Sequence, residues 1–289
     1  MERKDGGRFM TTAGLDCGKT LTKSVWVREG EYVYTSTADV SLDNLLNKAK
    51  EDGVTKFHVA GVGYVDIAEK LNEFIVKQKE GNQADNERRL QAQGVKKYFS
   101  KENPLLSHFL VVSVGTGTSY TFINGETIDL FPIGNPIGGG TLYGRFQLML
   151  AFGNENQNEK FSFAANLAER GKPQDILLQE AIPEYKGTKF GEKLILSNGA
   201  KLKRDSTVPD IYATDVNEIA TTTLRDFWMM SFMPQYIPPK DIVFIGTTVA
   251  RLPLLRKLLE DGQELLGKTF HFPEKAEYML ALGAYHASF

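Results

Sequence analysis

The sequence predicts a duplicated α/β protein in which mixed sheets are flanked by helices. Two observations carry this prediction. An apolar run typical of a strand ends in a glycine turn twice, at Gly18 and at Gly115, and each turn leads into a second β-prone run. In each half a third strand follows, and helical patterns come after it. The second half therefore opens as the first does, which indicates an internal duplication.

Composition is that of an ordinary globular protein and excludes several function classes. The chain has 289 residues, enough for one large domain or two smaller ones. Its net charge of -2 argues against the basic face of a nucleic-acid-binding protein, and no apolar run approaches the ~18 residues of a membrane span. Cys17 is the only cysteine, and the polar start over Met1–Phe9 lacks the apolar core of a signal peptide. We therefore expect a cytoplasmic protein that binds neither nucleic acid nor membrane.

Elements of the first half follow from hydrophobic periodicity. Ser41 is a good N-cap for a helix with an apolar stripe, and Gly53 ends that helix. Helical spacing predicts a second helix over residues 67–75 and a third from about Asn86 to Phe99. The predicted strands are Met10–Leu15, Ser24–Val27, Glu31–Thr37 and Val54–Ala60.

The second half begins near Ser107, so we expect one domain over residues 10–107 and another over 108–289. Residues 186–210 are charged and interrupted by glycines, which predicts an irregular excursion. The predicted strands are Phe109–Val114, Tyr120–Ile123, Thr127–Ile133, Asp241–Ile245 and Thr269–Phe272. The predicted helices are Leu142–Phe152, Phe161–Arg170, Pro173–Ala181, Asp215–Phe232, Leu252–Asp261 and one that begins at Ala276.

The first glycine turn combines a carboxylate, a glycine and hydroxyl groups. Asp16 ends the first strand, where a carboxylate can hold a Mg²⁺ that bridges phosphate oxygens. The backbone N–H groups of Gly18 to Thr20 can meet phosphates, and Lys23 can neutralise their charge. A plain hairpin with Asp and Gly as turn formers explains the same residues equally well. The pair Lys19–Thr20 does not complete a Walker motif, because the first glycine is missing and a strand follows.

Three further glycine segments favour anion binding. Val114–Ser119 holds two glycines and three hydroxyl residues directly after an apolar strand, although a tight hairpin remains the alternative. Gly138–Thr141 opens an apolar helix, whose N-terminus can bind an anion; the alternative is a flexible linker. Gly246–Thr248 ends the last strand, where an adenine could lie. Two glycine turns in matching strand contexts suggest one polyphosphate held from both sides.

Glu87 begins a helix that leaves a polar loop. A carboxylate there can take a proton from an acceptor hydroxyl. The alternative is a first-turn glutamate that complements the helix dipole, and the residue pattern alone favours this alternative. Cys17 is expected to be a small packed residue. No metal-ligand spacing joins the four histidines, His58, His108, His271 and His286.

Together these motifs resemble those of the acetate kinase–sugar kinase–Hsp70–actin superfamily, and more closely those of the type II pantothenate kinases. The family's D-x-G-x-T-x-x-K is met by Asp16, Gly18, Thr20 and Lys23. The other family motifs are met, in chain order, by Val114–Ser119, Gly138–Gly144, Ile245–Thr248, Leu254–Lys257 and Ala281–Ala284. The resemblance covers the chain from about Leu15 to Ala287.

The resemblance implies an actin-like (ribonuclease H-like) two-lobe fold that closes on ATP, a Mg²⁺ at Asp16, and a homodimer. It implies phosphorylation of pantothenate to 4'-phosphopantothenate, the first step of coenzyme A biosynthesis. It also makes Glu87 the catalytic base, since the family's glutamate begins a helix with a later A-x-Q-G, and here Ala92–Gly94, which reads A-Q-G without the intervening residue, lies at that place. The residues it assigns to ATP are Asp16, Cys17, Gly18, Lys19, Thr20, Leu21, Thr22, Lys23, Gly115, Thr116, Gly117, Thr118, Gly138, Gly139, Gly140, Thr141, Leu142, Tyr143, Gly246 and Thr247.

Two departures from the family pattern concern the acceptor. The family has an Arg shortly before the glycine triplet that meets the substrate carboxylate, and here that stretch is Leu130–Pro132. The family's S/N-F-G at a helix start is replaced by Asp215–Asn217. Either another cation, such as Arg145 or Arg251, replaces the missing one, or the acceptor is not pantothenate. The alternatives are a kinase of the same fold with another small hydroxylated acceptor, and a non-catalytic ATP-binding regulator.

Overall fold

A computed structural model describes residues 2–3, 9–19, 21–102, 107–150 and 157–288. Its strands are β1 (Glu2–Arg3), β2 (Phe9–Cys17), β3 (Thr22–Arg28), β4 (Glu31–Ser36), β5 (Val54–Ala60), β6 (Ile75–Gln78), β7 (His108–Val114), β8 (Thr118–Asn124), β9 (Thr127–Leu130), β10 (Ile176–Leu177), β11 (Ile195–Ser197), β12 (Asp241–Ile245) and β13 (Thr269–His271). Its α-helices are α1 (Leu42–Glu51), α2 (Tyr64–Ile67), α3 (Gln83–Glu102), α4 (Gly139–Leu150), α5 (Gln157–Ala168), α6 (Leu178–Ala181), α7 (Lys189–Lys193), α8 (Val208–Ser231), α9 (Thr247–Arg251), α10 (Pro253–Leu266) and α11 (Met279–His286).

Two large sheets share one strand order. The first runs β4-β3-β2-β5-β6, with β1 paired to the start of β2, and the second runs β9-β8-β7-β12-β13. Numbered within each sheet, both orders read 3-2-1-4-5. In the first sheet β5 and β6 run parallel to β2, and in the second β12 and β13 run parallel to β7. The predicted duplication into mixed sheets flanked by helices is thereby confirmed.

Packing divides the described residues into two compact units that are not continuous in sequence. The first unit takes its residues from Met1–Ser107, Ile123–Leu130 and Glu277–Phe289, and the second from His108–Phe122 and Phe131–Ala276. The expected domains over residues 10–107 and 108–289, which correspond to the two halves of the duplication, stay a prediction. The packing units differ from them in grouping Ile123–Leu130, which holds the end of β8 and all of β9, and the C-terminal segment with the first half.

Each unit has its own apolar core, built around β2 in the first unit and around β7 in the second. In the first unit Leu15 of β2 and Trp26 of β3 are fully buried together with Leu45 of α1. In the second unit Val112 of β7 and Phe244 of β12 pack into a larger core that includes residues of α4, α5, α8 and α10. Strands buried on both faces read as continuous apolar runs, which is why β7 and β12 were predictable from sequence.

Two predicted helices were wrong, for related reasons. The stretch 67–75 does not form one helix, because α2 ends at Ile67, a 3₁₀ turn covers Ala68–Leu71, and Ile75 begins β6 parallel to β5. In 173–181 only Leu178–Ala181 is helical, because the two residues before it pair with β11. In both places pairing with a strand distant in sequence overrides a short helical pattern.

Two other predictions need comment. Helix α8 begins at Val208 rather than Asp215, because the Thr207 side chain accepts a hydrogen bond from the Asp210 N–H and Pro209 lies in the first turn. The end of the helix predicted over Leu142–Phe152 and the expected ATP residue Thr20 lie outside the described residues. Of the helices that the structure describes, none combines the length and hydropathy that a membrane span needs.

Candidate functional site

The first glycine turn places two opposite charges side by side in the interior of the first unit. Asp16 and Lys23 are paired residues of the β2–β3 hairpin, and the Gly18 N–H donates to the Leu21 carbonyl at 3.1 Å across its tip. The Lys23 Nζ lies 3.2 Å from Asp16 Oδ2, and the two side chains are 7% and 10% exposed. A hairpin of this register makes such cross-strand pairs neighbours. The pair is therefore set by local geometry.

Burial dominates the electrostatics of Asp16. Desolvation raises the pKa of its carboxyl group, whereas the charge and the hydrogen bond of Lys23 lower it. The nearby negative charge of Glu277, which also belongs to the first unit, raises it again. Asp16 is thus a desolvated carboxylate with one cationic partner among the described contacts, and a further cation would stabilise its charge.

Glu87 lies in the same cluster. It is half-buried in the first turns of α3, where the Asn82 side chain accepts hydrogen bonds from the Ala84 and Asp85 N–H groups. Burial, followed by the negative charge of Asp16, raises the pKa of Glu87 to about 7, and Lys23 lowers it in part. A glutamate that only complements a helix dipole would have a lowered pKa. The structure therefore brings Asp16, Lys23 and Glu87 within electrostatic reach of one another.

In the second unit, backbone hydrogen bonds join the turn after β7 to the segment before α4. The Gly139 N–H donates to the Gly115 carbonyl at 2.8 Å, and the Gly140 N–H donates to the Thr116 carbonyl at 3.0 Å. The Thr118 Oγ1 donates to the Ile137 carbonyl at 3.0 Å. The glycine triplet is therefore a bonded part of the fold, and the flexible-linker alternative is wrong.

Close approach explains why these positions are glycine. A Cβ on Gly138 would lie 2.8 Å from the Thr116 carbonyl oxygen, and a Cβ on Gly139 would lie 2.2 Å from Thr248 Oγ1. Thr248 follows β12, and its hydroxyl donates to the Gly115 carbonyl at 3.0 Å. The three glycine segments of the second half thus converge on one another. Packing accounts for the glycines at 117, 138, 139, 140 and 246, whereas a Cβ on Gly115 would meet only the Gly117 carbonyl oxygen, at 4.0 Å. Most of these glycines are therefore no evidence of a ligand.

The atoms that remain for an anion are few. Besides the two bonds above, the Gly115 N–H donates to the Gly117 carbonyl and the Leu142 N–H to the Gly138 carbonyl. Among the described residues, the N–H groups of Thr116, Gly117 and Thr141 donate to no backbone carbonyl. Thr116 is exposed and the other two are half-buried. Two N–H groups at a turn and one in the first turn of a helix form a concavity of the kind that binds phosphate.

A glycine with positive φ packs against each of these two turns, and in each case it follows the strand that runs parallel beside the first one. Gly61 (φ +97°) follows β5, and Gly246 (φ +103°) follows β12. A Cβ at either position would lie 2.5 Å from the carbonyl oxygen of the last residue of the first strand, Cys17 or Val114. Only glycine fits both the φ and the space. The duplication therefore extends to the loop after the fourth strand of each sheet, which the sequence had marked only as the end of a strand.

Several expected ATP residues have their side chains in the interior of their unit. Cys17, Leu21, Thr22 and Leu142 are buried, and burial raises the pKa of the Cys17 thiol. These residues therefore shape the backbone. The Lys19 Nζ is exposed and pairs with Asp66, the Tyr143 hydroxyl accepts a hydrogen bond from Gln147, and Thr247 begins α9.

The cations that were expected to replace the missing Arg differ in their surroundings. Arg145 is held by two carboxylates of α8, with its Nη1 2.7 Å from Asp215 Oδ1 and also in contact with Glu218 Oε2. Arg251 ends α9. Phe131, at the place of the missing Arg, is buried and packs edge-on against Tyr120 and Tyr236. In the described part of the chain no group of three or more His, Cys, Asp or Glu side chains could hold a metal by itself.

Comparison with known proteins gives relatives over almost the whole chain. No protein-family model matches. The type II pantothenate kinase of Staphylococcus saprophyticus is 23% identical over 283 residues, which cover 94% of this chain and 98% of that protein. The type II pantothenate kinase of Staphylococcus aureus is 22% identical, with 94% and 97% covered.

Among solved structures, (R)-2-hydroxyglutaryl-CoA dehydratase component A from Acidaminococcus fermentans superposes with a TM-score of 0.56 at 19% identity, covering 96% of both chains. This likeness supports the fold. The similarity to named kinases supports a phosphotransferase, as the motifs indicated. The chain is therefore similar to the type II pantothenate kinases over nearly its whole length, and its fold is actin-like.

Proposed function

We propose that the protein transfers the γ-phosphoryl group of ATP to the hydroxyl of a small molecule, with pantothenate as the first candidate acceptor. The observation that carries this proposal is the cluster of Glu87, Asp16 and Lys23 in the first unit. A half-buried carboxyl group with a pKa near 7 is poised to exchange a proton at physiological pH.

In this proposal Glu87 is the general base. Its carboxylate takes the proton of the acceptor hydroxyl as that oxygen forms a bond to the γ-phosphorus. The bond between the γ-phosphorus and the oxygen that bridges to the β-phosphate breaks, and ADP leaves with the electron pair. Phosphoryl transfer needs only modest help from a base, because positioning and charge neutralisation dominate.

The phosphates of ATP would be held by backbone groups and by one lysine. The N–H groups of Thr116, Gly117 and Thr141 supply donors in the second unit, where the dipole of α4 adds a favourable field. Lys23 supplies positive charge in the first unit. The other residues assigned to ATP, Gly246 and Thr247 included, belong to the proposal as parts of the same loops. The activator of 2-hydroxyisocaproyl-CoA dehydratase from Clostridium difficile binds ADPNP, and its fold superposes with a TM-score of 0.56 at 14% identity.

Asp16 fits a Mg²⁺ that accompanies ATP. Among the described residues, Lys23 is the cation that balances its desolvated carboxylate, and a divalent cation would lower its raised pKa. Mg²⁺ commonly binds one or two carboxylates together with substrate phosphates and waters, so a three-ligand protein site is not needed. When bound, the ion would supply neutralisation of phosphate charge.

The acceptor is the open part of the proposal. A pantothenate carboxylate needs a cation, and the guanidinium of Arg145 is already shared by two carboxylates. This observation favours, as a second candidate, an acceptor of similar size without a carboxylate. A non-catalytic ATP-binding regulator is the third candidate. A cytoplasmic location, as the composition predicts, and a homodimer, as the family resemblance implies, belong to the same proposal. Sedimentation tests the homodimer.

An ATP-consumption assay with pantothenate, pantetheine and other small alcohols tests the proposal. Turnover with pantothenate supports the first candidate, and turnover only with uncharged alcohols supports the second. Nucleotide binding without turnover on any acceptor would favour the regulator. A chain that binds no nucleotide in the presence of Mg²⁺ would overturn all three.

A further inference from the structure

The ion triad of Arg145, Asp215 and Glu218 joins two helices of the second unit. Arg145 lies in the second turn of α4, and the two carboxylates lie three residues apart on α8. Residues three apart on a helix face the same way, so both carboxylates meet one guanidinium. The side chain of Arg145 is 38% exposed, whereas those of Asp215 and Glu218 are only 11% and 24% exposed.

The triad is more than a surface ion pair. Burial raises the pKa of Asp215, and Arg145 opposes that rise with its charge and its hydrogen bond. Without the guanidinium, two largely buried carboxylates would face each other unpaired. An exposed ion pair contributes little, but a buried charge that loses its partner is strongly unfavourable. Arg145 is therefore tightly constrained to its place against α8.

The start of α4 needs such a constraint. The N–H groups of Gly139 and Gly140 join the first turn to the Gly115 and Thr116 carbonyls, but neither residue has a side chain that could hold the turn against α8. The position of α4 relative to α8 is therefore set by side chains further along the helix. Leu142 is buried in the core, and the centroid of the Phe146 ring lies 4.1 Å from that of Tyr212 on α8. Arg145, which lies between Leu142 and Phe146 in the sequence, adds its ion pairs to these apolar contacts. Apolar contacts resist separation of two helices but allow them to slide, whereas a hydrogen-bonded ion triad fixes their register.

We infer that Arg145 is a positioning residue that sets the axial position of α4, and with it the free Thr141 N–H group and the glycine-rich start of the helix. This inference rests on the proposed nucleotide site. It gives the triad a function of its own, distinct from acceptor binding. Positioning matters because a displacement of about 1 Å away from the chemistry can cost on the order of 100-fold in rate.

Three variants test the inference. Arg145→Lys keeps the positive charge but replaces the planar guanidinium with a shorter, flexible side chain, so it should hold the two carboxylates less firmly. The triple variant Arg145→Met, Asp215→Asn, Glu218→Gln removes the tie and leaves no unpaired buried charge, so it is expected to fold. Arg256→Gln removes an arginine from the exposed Arg256–Glu260 pair of α10 and serves as the matched control. Each variant is checked for cooperative thermal unfolding before binding is measured.

The measurement is the dissociation constant of a non-hydrolysable ATP analogue with Mg²⁺, followed by KM for ATP and for the acceptor separately. We expect about tenfold weaker analogue binding in the triple variant, a smaller loss in Arg145→Lys, no change in Arg256→Gln, and an unchanged KM for the acceptor. Unchanged analogue binding in the triple variant would overturn the inference and leave the proposed function intact. A raised acceptor KM with unchanged analogue binding would make Arg145 part of the acceptor site instead. Absence of analogue binding in the unaltered protein would overturn the proposed function itself.

Discussion

The turns after β2 and β7 occupy the same place in two sheets of the same strand order, yet they differ in chemistry. Both are closed by a glycine at φ near +100° from the loop after the fourth strand. The first turn carries the buried Asp16–Lys23 pair and has Glu87 nearby, whereas the second has no charged side chain over Val114–Ser119. Its backbone is joined instead to the start of α4.

The difference shows what duplication supplies and what divergence adds. The shared strand order and the packed glycine give the turns after β2 and β7 a similar backbone environment. The buried charges at the first turn suit proton transfer and cation binding, and the free N–H groups at the second turn suit binding of phosphate oxygens. We propose that the first turn serves proton transfer and cation binding and that the second serves phosphate binding.

The largest effect is expected from the base beside the charged turn. Glu87→Gln removes the proton acceptor but keeps the size of the side chain, so phosphorylation should fall about 1000-fold while nucleotide binding stays unchanged. Turnover and analogue binding are measured on the same preparation. Asp85→Asn, an exposed first-turn carboxylate of the same helix, is the control and should be near normal. Near-normal turnover in Glu87→Gln would remove the base from the mechanism.

The second effect concerns the buried pair. Lys23→Met leaves Asp16 buried without its cation, so we expect the free energy of unfolding to fall by about 3 kcal/mol. Adding Asp16→Asn should recover most of this stability, because it removes the unpaired buried charge. It should not restore activity, because both charged groups of the proposed site are then missing. Denaturant unfolding measures both variants. The control Lys50→Met breaks the exposed Lys50–Glu73 pair and should change stability little. A double variant as unstable as Lys23→Met would show that the pair is not electrostatically coupled.

The third effect tests the neutral turn. A Cβ on Gly138 would press on backbone atoms of residues 116 and 117, so Gly138→Ala should shift both segments and raise KM for ATP roughly tenfold. Gly144→Ala lies further along the same helix with nothing within 4 Å of its new Cβ. It should leave KM unchanged and stabilise the helix by up to about 1 kcal/mol. Equal KM values in the two variants would mean that the neutral turn does not hold the nucleotide.

The smallest effect is a pH dependence. Because the base works as a carboxylate and its pKa is raised to about 7, turnover should rise about tenfold between pH 6 and pH 8. Stability should run the other way. The folded state binds this proton more tightly than the unfolded state, where the pKa is near its ordinary value of 4.5, so stability falls as pH rises from about 4.5 to about 7 and changes little above that. Glu87→Gln should flatten both profiles, and a pH–rate profile unchanged by it would assign the titration to another group.

The local parts of the site were predictable from sequence, and the contacts distant in sequence were not. Asp16 and Lys23 flank a short turn, so hairpin register alone makes them neighbours. The pattern around Glu87 favoured a structural role, and only its resemblance to the family's glutamate and its proximity to Asp16 pointed to catalysis. Which N–H groups of the glycine segments are already bonded depends on contacts that are distant in sequence, such as the bond from the Gly139 N–H to the Gly115 carbonyl.

The sequence by itself determined the strands of the two large sheets other than β1 and β6, the two glycine turns and the duplicated order of elements, because periodicity and turn chemistry act over a few residues. Only the tertiary structure decided that residues 67–75 split into a turn and a strand, that Gly61 and Gly246 close equivalent turns, and that Arg145 is tied to α8. Each of these depends on contacts between segments far apart in the chain. Such contacts form only when burial and hydrogen bonding outweigh the local preference of the residues involved.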